Sequence, residues 1–457
     1  MNLTRACAIG GVNFRILSID LLERDVRLRM PFRFGVVTLT ESPQAFVRCR
    51  IRTGDGREAE GAAAELLAPK WFDKNPALSN EDNYEQLRAS LRGARERYLA
   101  HGMATAWRHS MPAQLPPTRG LVENYGPALL DRAVLDALCR ALGVSFFAAI
   151  QSNLVGAEVF EGIDLENHFS KLKPSKNISA RHTVGLVDPI TAADQKERVN
   201  DGLPETLEEV VARYAQRWFK LKVGGDARAD VGRLSAIAAV LDRIREPYHA
   251  SLDGNEQYED MAGVAELWSK MKGEPRLKRL VGSIIFIEQP VKRQQALERK
   301  VAGIDKPVII DESDESLDAF PRAKELGYMG VSSKTCKGIY KSLINRARCA
   351  TWGDGYFMSG EDLTIQPGLA LQQDLALVSL LGLTHVERNG HHYVNGMAGL
   401  AQEEQDAFLA AHPDLYERSH GAVRVRISNG ELSIGSLGCS GYASAAMPDW
   451  NSMRSMT

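Results

Sequence analysis

Residues 218–226 read WFKLKVGGD, a short apolar run from Trp218 to Val223 that carries two lysines and stops at a glycine pair. A longer amphipathic stretch follows it. The same rhythm recurs along the chain, in His182 to Val187, Tyr248 to Leu252, Ser283 to Ile287, Pro307 to Ile310, Tyr328 to Ser332, Tyr356 to Ser359 and Thr384 to Val386. Runs rich in Val and Ile that alternate with helical patterns are the mark of βαβ units and a parallel sheet. Eight such units over roughly 220 residues predict a closed (β/α) barrel. An open doubly wound sheet is the structural alternative, but the sequence holds no G-x-G-x-x-G or G-x-x-x-x-G-K-[ST] to place a nucleotide on it.

The flanks have a different pattern. Ile16 to Met30 and Gln44 to Arg50 alternate apolar and polar residues as half-buried antiparallel strands do, and Thr53 to Gly56 has turn chemistry. Asn80 to His101 is helix-prone, Met103 to Gly120 reads as a loop, and Leu129 to Leu142 keeps helical spacing up to Gly143, placed as a C-cap. We read 1–150 as a small α+β domain, 151–400 as the barrel and 401–457 as a segment returning to the first domain. In that segment Val423 to Ile434 would add strands to the first domain, and the last dozen residues would form a surface tail. Asn153 to Arg181 fits no period and reads as an insertion.

Composition narrows the function. Of 457 residues 44% are apolar and 25% charged, and 56 Lys and Arg against 58 Asp and Glu leave a net charge of −2. Nothing in that balance favours nucleic acid or an anionic membrane, so the expected partner is a small molecule. Six cysteines without a C-x-x-C pair suggest reduced, buried thiols. The absence of a signal-like or membrane-length apolar run points to a cytoplasmic protein. Barrels of this type often form homo-oligomers, which the sequence leaves open.

Charged residues at the C-terminal ends of barrel strands mark an active site, because the strand interior is packed apolar. Here the second strand carries Lys220 and Lys222, the third ends in Asp253, the fourth in Glu288, the fifth in Asp311 and the sixth leads to Lys334. Three carboxylates on adjacent strands repel one another unless a cation sits among them, and a hard ion such as Mg²⁺ answers that conflict. Asp253, Glu288 and Asp311 are therefore read as metal ligands, as against helix-initiating acids. Strands two and six face each other across an eight-stranded barrel, so Lys222 and Lys334 would stand on opposite sides of a metal-bound carboxylate substrate. One lysine would remove the α-proton while the cation holds the enediolate. A lysine serves as a base near neutral pH when cationic neighbours crowd it, and Lys220 and the metal are placed to do so.

The motifs FKLKVGGD, SLDGNEQY, FIEQPV, VIIDESDES and GVSSKTCKG, in that order, resemble the enolase superfamily, and within it the muconate-lactonizing-enzyme subgroup. The resemblance implies a modified TIM barrel with an α+β capping domain, Mg²⁺ as cofactor, Lys222 as base, Lys220 as its auxiliary and Lys334 as second acid/base. It also implies Asp253, Glu288 and Asp311 as ligands, with Glu312 supporting them. Mandelate-racemase-like members differ by a His after the seventh strand, where this chain reads YFMSGEDLT. Dipeptide epimerases carry a D-x-D that THVERNGHHYVNG lacks. Racemization or epimerization, cycloisomerization and syn-dehydration all stay open.

Substrate-contact candidates are Asn255, Arg33 in MPFRFG, which would pair a distal anion or stand as a surface arginine, and Glu361 and Asp362, which would touch the substrate or cap a helix. His385, Glu387, Asn389, His391 and His392 cluster near the eighth strand, where their irregular spacing favours ordinary polar packing over a second metal site. Two other functions compete: a Schiff-base lysine aldolase on the same barrel, and a binding homologue that kept the barrel without catalysis.

Overall fold

A computed structural model describes residues 11–35, 37–114, 120–363, 366–389 and 391–456. Cys7 lies outside them, and the other five cysteines are free thiols. The first domain is an antiparallel meander of β1 (Phe14–Phe34), β2 (Val37–Thr53) and β3 (Glu58–Leu66), packed on α1 (Asn80–Ala100), α2 (Ala106–Gln114) and α3 (Leu121–Leu142). Ser79 opens α1 with a capping box, and Gly143 ends α3 in the left-handed conformation at φ 67°. Gly61 lets β3 lie directly on α3, since a Cβ there would stand 2.1 Å from the Ala137 nitrogen. The stretch read as a loop from Met103 holds α2, because Ala106, Trp107, Ser110 and Met111 are buried in the helical layer.

Eight parallel strands then close on themselves: β4 (Asn177–Val184), β5 (Trp218–Lys222), β6 (His249–Asp253), β7 (Ile284–Glu288), β8 (Val308–Ile310), β9 (Gly330–Ser333), β10 (Phe357–Gly360) and β11 (His385–Glu387). Closure is made by β11 on β4, with Val386 opposite Ala180. β4 starts within the stretch taken for an insertion, which otherwise holds the short helix Leu165–Phe169. The barrel is bound to the cap through α3, where Arg132 reaches both Glu65 (3.0 Å) and Thr335 (3.3 Å).

The last segment departs from expectation. β12 (Tyr416–Ser419) and β13 (Ala422–Val425) pair only with each other, and β14 (Glu431–Ser433) lies antiparallel on β4 of the barrel. The stretch from Val423 to Ile434 therefore adds nothing to the cap sheet. It is β15 (Arg454–Ser455), in the supposed surface tail, that pairs with β1, with Ser455 opposite Leu22 and Met456 buried. Among the described residues no helix is long and apolar enough to cross a membrane.

Candidate active site

The parallel register delivers the charged residues to one level. Lys222 stands opposite Asp253 and Asp253 opposite Glu288 in adjacent rungs, while Asp311, Lys334 and Glu361 follow directly on β8, β9 and β10. The backbone just beyond two of these strands is unusual: Asn255, Glu256 and Gln289 all adopt φ between 33° and 68°. Side chains rarely tolerate that region, and its use at strand ends is typical of functional loops. Gln289 repays the geometry by accepting from the amides of Asp311 (2.8 Å) and Ser313 (3.1 Å), which fixes the turn carrying Asp311.

The carboxylates at the strand ends are engaged by ammonium groups. Lys222 Nζ donates to Asp253 Oδ2 (2.5 Å) and Asn255 Oδ1 (2.6 Å). Lys220 Nζ lies at the centre of four acids, Asp253 (3.0 Å), Glu288 (2.9 Å), Glu361 (2.7 Å) and Glu387 (3.0 Å). Asp311 pairs with Lys334 (2.6 Å) and Lys337 (3.3 Å). Arg181, inside the barrel, is bound to Glu361 and donates to Ser359 Oγ (2.9 Å) and the Gly360 carbonyl (3.0 Å).

Burial opposes ionisation of these acids. For Asp253 the ammonium groups of Lys220 and Lys222 outweigh it and hold the pKa below the usual value, and Lys334 and Lys337 do the same more strongly for Asp311. Glu288 goes the other way, because burial and the charges of Asp253 and Glu361 push its pKa well up. The lysines were expected among cations, but carboxylates surround them. Burial lowers the proton affinity of Lys220 and Lys334, yet Asp253 and Glu288 around the first and Asp311 beside the second leave both pKa values raised.

The cap supplies the roof. Period-two alternation at the end of β1 turns Phe32 and Phe34 inward, Leu39 of β2 stands opposite Phe32, and Trp71 reaches in from the segment after β3. The Trp71 ring covers Lys334 Nζ at 4.4 Å. Together with Ala68, Leu363, Lys220, Lys222, Asn255, Lys334, Asp362, Glu387 and Asn389 they surround about 30 Å³, room for water but not for a substrate.

Several predicted residues meet here and others do not. Lys220, Lys222, Lys334, Asn255 and Asp362 line the cavity. Glu312 lies just outside, accepting from Asn255 Nδ2 (3.1 Å) and Lys74 (3.0 Å). Arg33 does not: the alternation that buries Phe32 and Phe34 leaves it exposed on the outer face, so it is no partner for a distal anion in this site. Glu361 neither lines the cavity nor caps a helix, being held below it by Arg181 and Lys220. Asp362 pairs with Arg388 at 3.2 Å.

Sequence reasoning passed over Glu387 and Asn389, taken as packing, and over Phe32, Phe34 and Trp71. Counting in twos from buried Met30 would have found the phenylalanines. The histidines of that cluster do pack structurally: His385 lies against Arg181 and Trp218, and His391 against Tyr214.

Among the described residues, no three His, Cys, Asp or Glu side chains converge on a ready-made metal position. Asp253, Glu288 and Asp311 share a level, but lysines stand between them. The donor set still fits a hard divalent cation. All candidates are carboxylate oxygens, and both oxygens of Glu288 are buried without receiving a hydrogen bond. Binding there requires the Lys220 ammonium to give way.

Residues 202–423 match the family described as Enolase C-terminal domain-like. Similar solved structures include 2-chloromuconate cycloisomerase from Rhodococcus opacus 1CP (15% identity, TM-score 0.61, covering 96% of this chain and 98% of that one). An enolase from Bradyrhizobium complexed with magnesium and mandelic acid also matches (13%, 0.62, 96% and 97%). So does a dipeptide epimerase from Enterococcus faecalis complexed with Mg and L-Leu-L-Tyr (14%, 0.57, 82% and 90%). No curated protein matches the sequence significantly. The fold and the family match define the class, a (β/α) barrel with an α+β cap. Residues 202–423 thus carry the Enolase C-terminal domain-like family, and the solved structures share the fold of the chain.

Proposed function

We propose that the protein is a Mg²⁺-dependent isomerase or lyase that moves the α-proton of a small carboxylate substrate. The observation that carries this reading is the pair Lys222 and Lys334, which come from strands β5 and β9 on opposite sides of the barrel yet line one buried cavity. Asp253, Glu288 and Asp311 would hold the cation. When bound, Mg²⁺ would supply positive charge against the negative charge that develops on the substrate carboxylate. Lys222 and Lys334 would each exchange a proton with one face of the α-carbon, while Asn255 orients Lys222 and Trp71 keeps water from Lys334. The solved structures that hold mandelic acid or a dipeptide support a small carboxylate as ligand. A Schiff-base aldolase has no use for three carboxylates at the ends of adjacent barrel strands, whereas a cation held by Asp253, Glu288 and Asp311 accounts for them.

The test is proton NMR of α-deuterium incorporation in D₂O, with each stereoisomer of a set of α-substituted carboxylates. Lys222→Ala is expected to abolish exchange at one face and Lys334→Ala at the other. Wild-type turnover surviving in Lys222→Ala would reject the proposed base. Loss of exchange at one and the same face in both variants would reject the two-sided arrangement.

A further inference from the structure

Lys74 belongs to the cap, yet its side chain ends on the barrel. It follows Trp71 in the segment after β3, and its Nζ lies against three acceptors at the strand ends: the Asn255 carbonyl (2.8 Å), Glu256 Oε2 (2.5 Å) and Glu312 Oε1 (3.0 Å). An ammonium group has three protons to donate, so this one is fully used.

The three contacts are not equivalent. Glu256 is also held by Arg293, which donates to both of its oxygens (3.0 and 2.9 Å). Glu312 is fully buried, has Lys74 as its only cation among the described pairs, and receives no hydrogen bond at Oε2. Its other oxygen holds Asn255, whose Nδ2 donates to Glu312 Oε1 (3.1 Å) while its Oδ1 accepts from Lys222 Nζ (2.6 Å). A side-chain amide has one donor end and one acceptor end, so a carboxylate on one side and an ammonium on the other fix which way it faces. The backbone beneath it needs the same support. Asn255 and Glu256 stand at φ 40° and 68°, and Lys74 holds the carbonyl of the first and the carboxylate of the second.

From the cap inward, Lys74, Glu312, Asn255 and Lys222 thus alternate donor and acceptor. None of these side-chain links uses Asp253, Glu288 or Asp311. A cation on those carboxylates would take Asp253 from Lys222, and Asn255 would then be the one hydrogen-bond partner left to Lys222 among the described residues. Lys334 stands outside this chain of contacts, paired with Asp311 and covered by Trp71. Trp71 is fixed independently of Lys74, because Arg293 donates to the carbonyls of Trp71 (3.0 Å) and Phe72 (2.9 Å).

We infer that Lys74 is a positioning residue by which the cap sets the orientation of Lys222, acting through Glu312 and Asn255. This rests on the reading of Lys222 as the base for one face of a carboxylate substrate.

The experiment compares Lys74→Met and Lys74→Arg with the wild type in two ways. Crystal structures without and with Mg²⁺ read the Asn255 side chain directly. Exchange of the α-proton for deuterium in both enantiomers of mandelate and of lactate reads the two faces, the Lys222 face being the one lost in Lys222→Ala. In Lys74→Met, Asn255 Oδ1 is expected to leave Lys222 Nζ, and kcat at the Lys222 face to fall about tenfold or more with KM little changed, while the Lys334 face stays within about threefold. Lys74→Arg should restore the contact and most of the rate. In an Asn255→Ala background Lys74→Met should cost nothing more at the Lys222 face. Should Lys74→Met fail to fold, Lys74→Gln removes the charge and keeps a polar end. Asn255 still seated on Lys222 without Lys74, equal loss at both faces, or a further loss in the Asn255→Ala background would each overturn the inference and leave Lys74 a plain anchor of the cap. Absence of exchange in the wild type would count against the α-proton reading alone, and the position of Asn255 in the crystal structures would then decide the inference by itself.

Discussion

Arg181 is the residue on which the floor of the site depends, and its replacement by methionine gives a quantitative test. It is fully buried and donates to Ser359, Gly360 and Glu361, and its guanidinium contacts His385 Nδ1 at 2.7 Å. Methionine keeps the length of the stem and removes the charge. Glu361, itself fully buried, is then left with Lys220 as its only cation among the described pairs. Breaking one side of a buried ion pair costs about 3–5 kcal/mol, because the remaining charge stays out of water. Glu361→Gln alone should cost a similar amount by stranding Arg181. The double variant should be less destabilised than the sum of the two by about 2 kcal/mol or more, the coupling expected of direct partners. Urea unfolding followed by far-UV circular dichroism reads all four proteins. Additivity within about 0.5 kcal/mol would show that Arg181 and Glu361 do not depend on each other, and would refute the account of the floor.

Asp253→Asn should weaken Mg²⁺ binding by more than about tenfold in calorimetry with no substrate present, and unchanged affinity would remove Asp253 from the ligand set. Asp131, buried where Tyr98 of α1 and Ser110 of α2 donate to it, has its pKa pushed up to about 7 by burial. A carboxyl with a raised folded pKa keeps its proton in the fold between pH 4 and 7 while the unfolded chain releases it. Stability should therefore fall as pH rises through that window, by roughly 4 kcal/mol from this group. Asp131→Asn should flatten the profile, and parallel melting curves of variant and wild type from pH 4.5 to 7.5 would contradict this. Gly61→Ala should cost about 3 kcal/mol or more, since its Cβ would meet the α3 backbone at Ala133 and Ala137. An unchanged melting temperature would show that β3 and α3 can part.

The barrel was legible because its strands are short, apolar and separated by helices, a pattern that burial on both faces imposes. The charged ends of five strands were legible for the same reason: a lysine or acid after Val and Ile is conspicuous. Where polar chemistry enters a strand the signal fails. The start of the first barrel strand, Asn177 to Arg181, was missed because Arg181 occupies an interior position that is tolerable only with Glu361 opposite, and no local pattern announces a partner 180 residues away. Trp71 sits in an aperiodic segment, and only the folding of the cap onto the barrel brings it over Lys334. Of the two readings of Arg33, an anion partner and a surface arginine, chemistry alone could not choose and geometry decides for the second, since a residue between two buried phenylalanines on a strand must face outward. The pairing of Arg454 and Ser455 with β1 is too short to show any alternation.

That pairing sets an order on the birth of the protein. The outer edge of β1 at Leu22 is closed by a strand made roughly 430 residues later, which at about 5–20 residues per second leaves it uncovered for on the order of a minute during translation. An open edge of that kind invites pairing with other nascent chains. Glu23, Arg24, Asp25 and Arg27 stand along it, and in the finished fold Arg454 takes up Glu23 (2.7 Å) and Asp25 (2.7 Å). The same charges that later receive the closing strand would thus guard the unfinished sheet on the ribosome, keeping it from neighbours until Arg454 and Ser455 arrive.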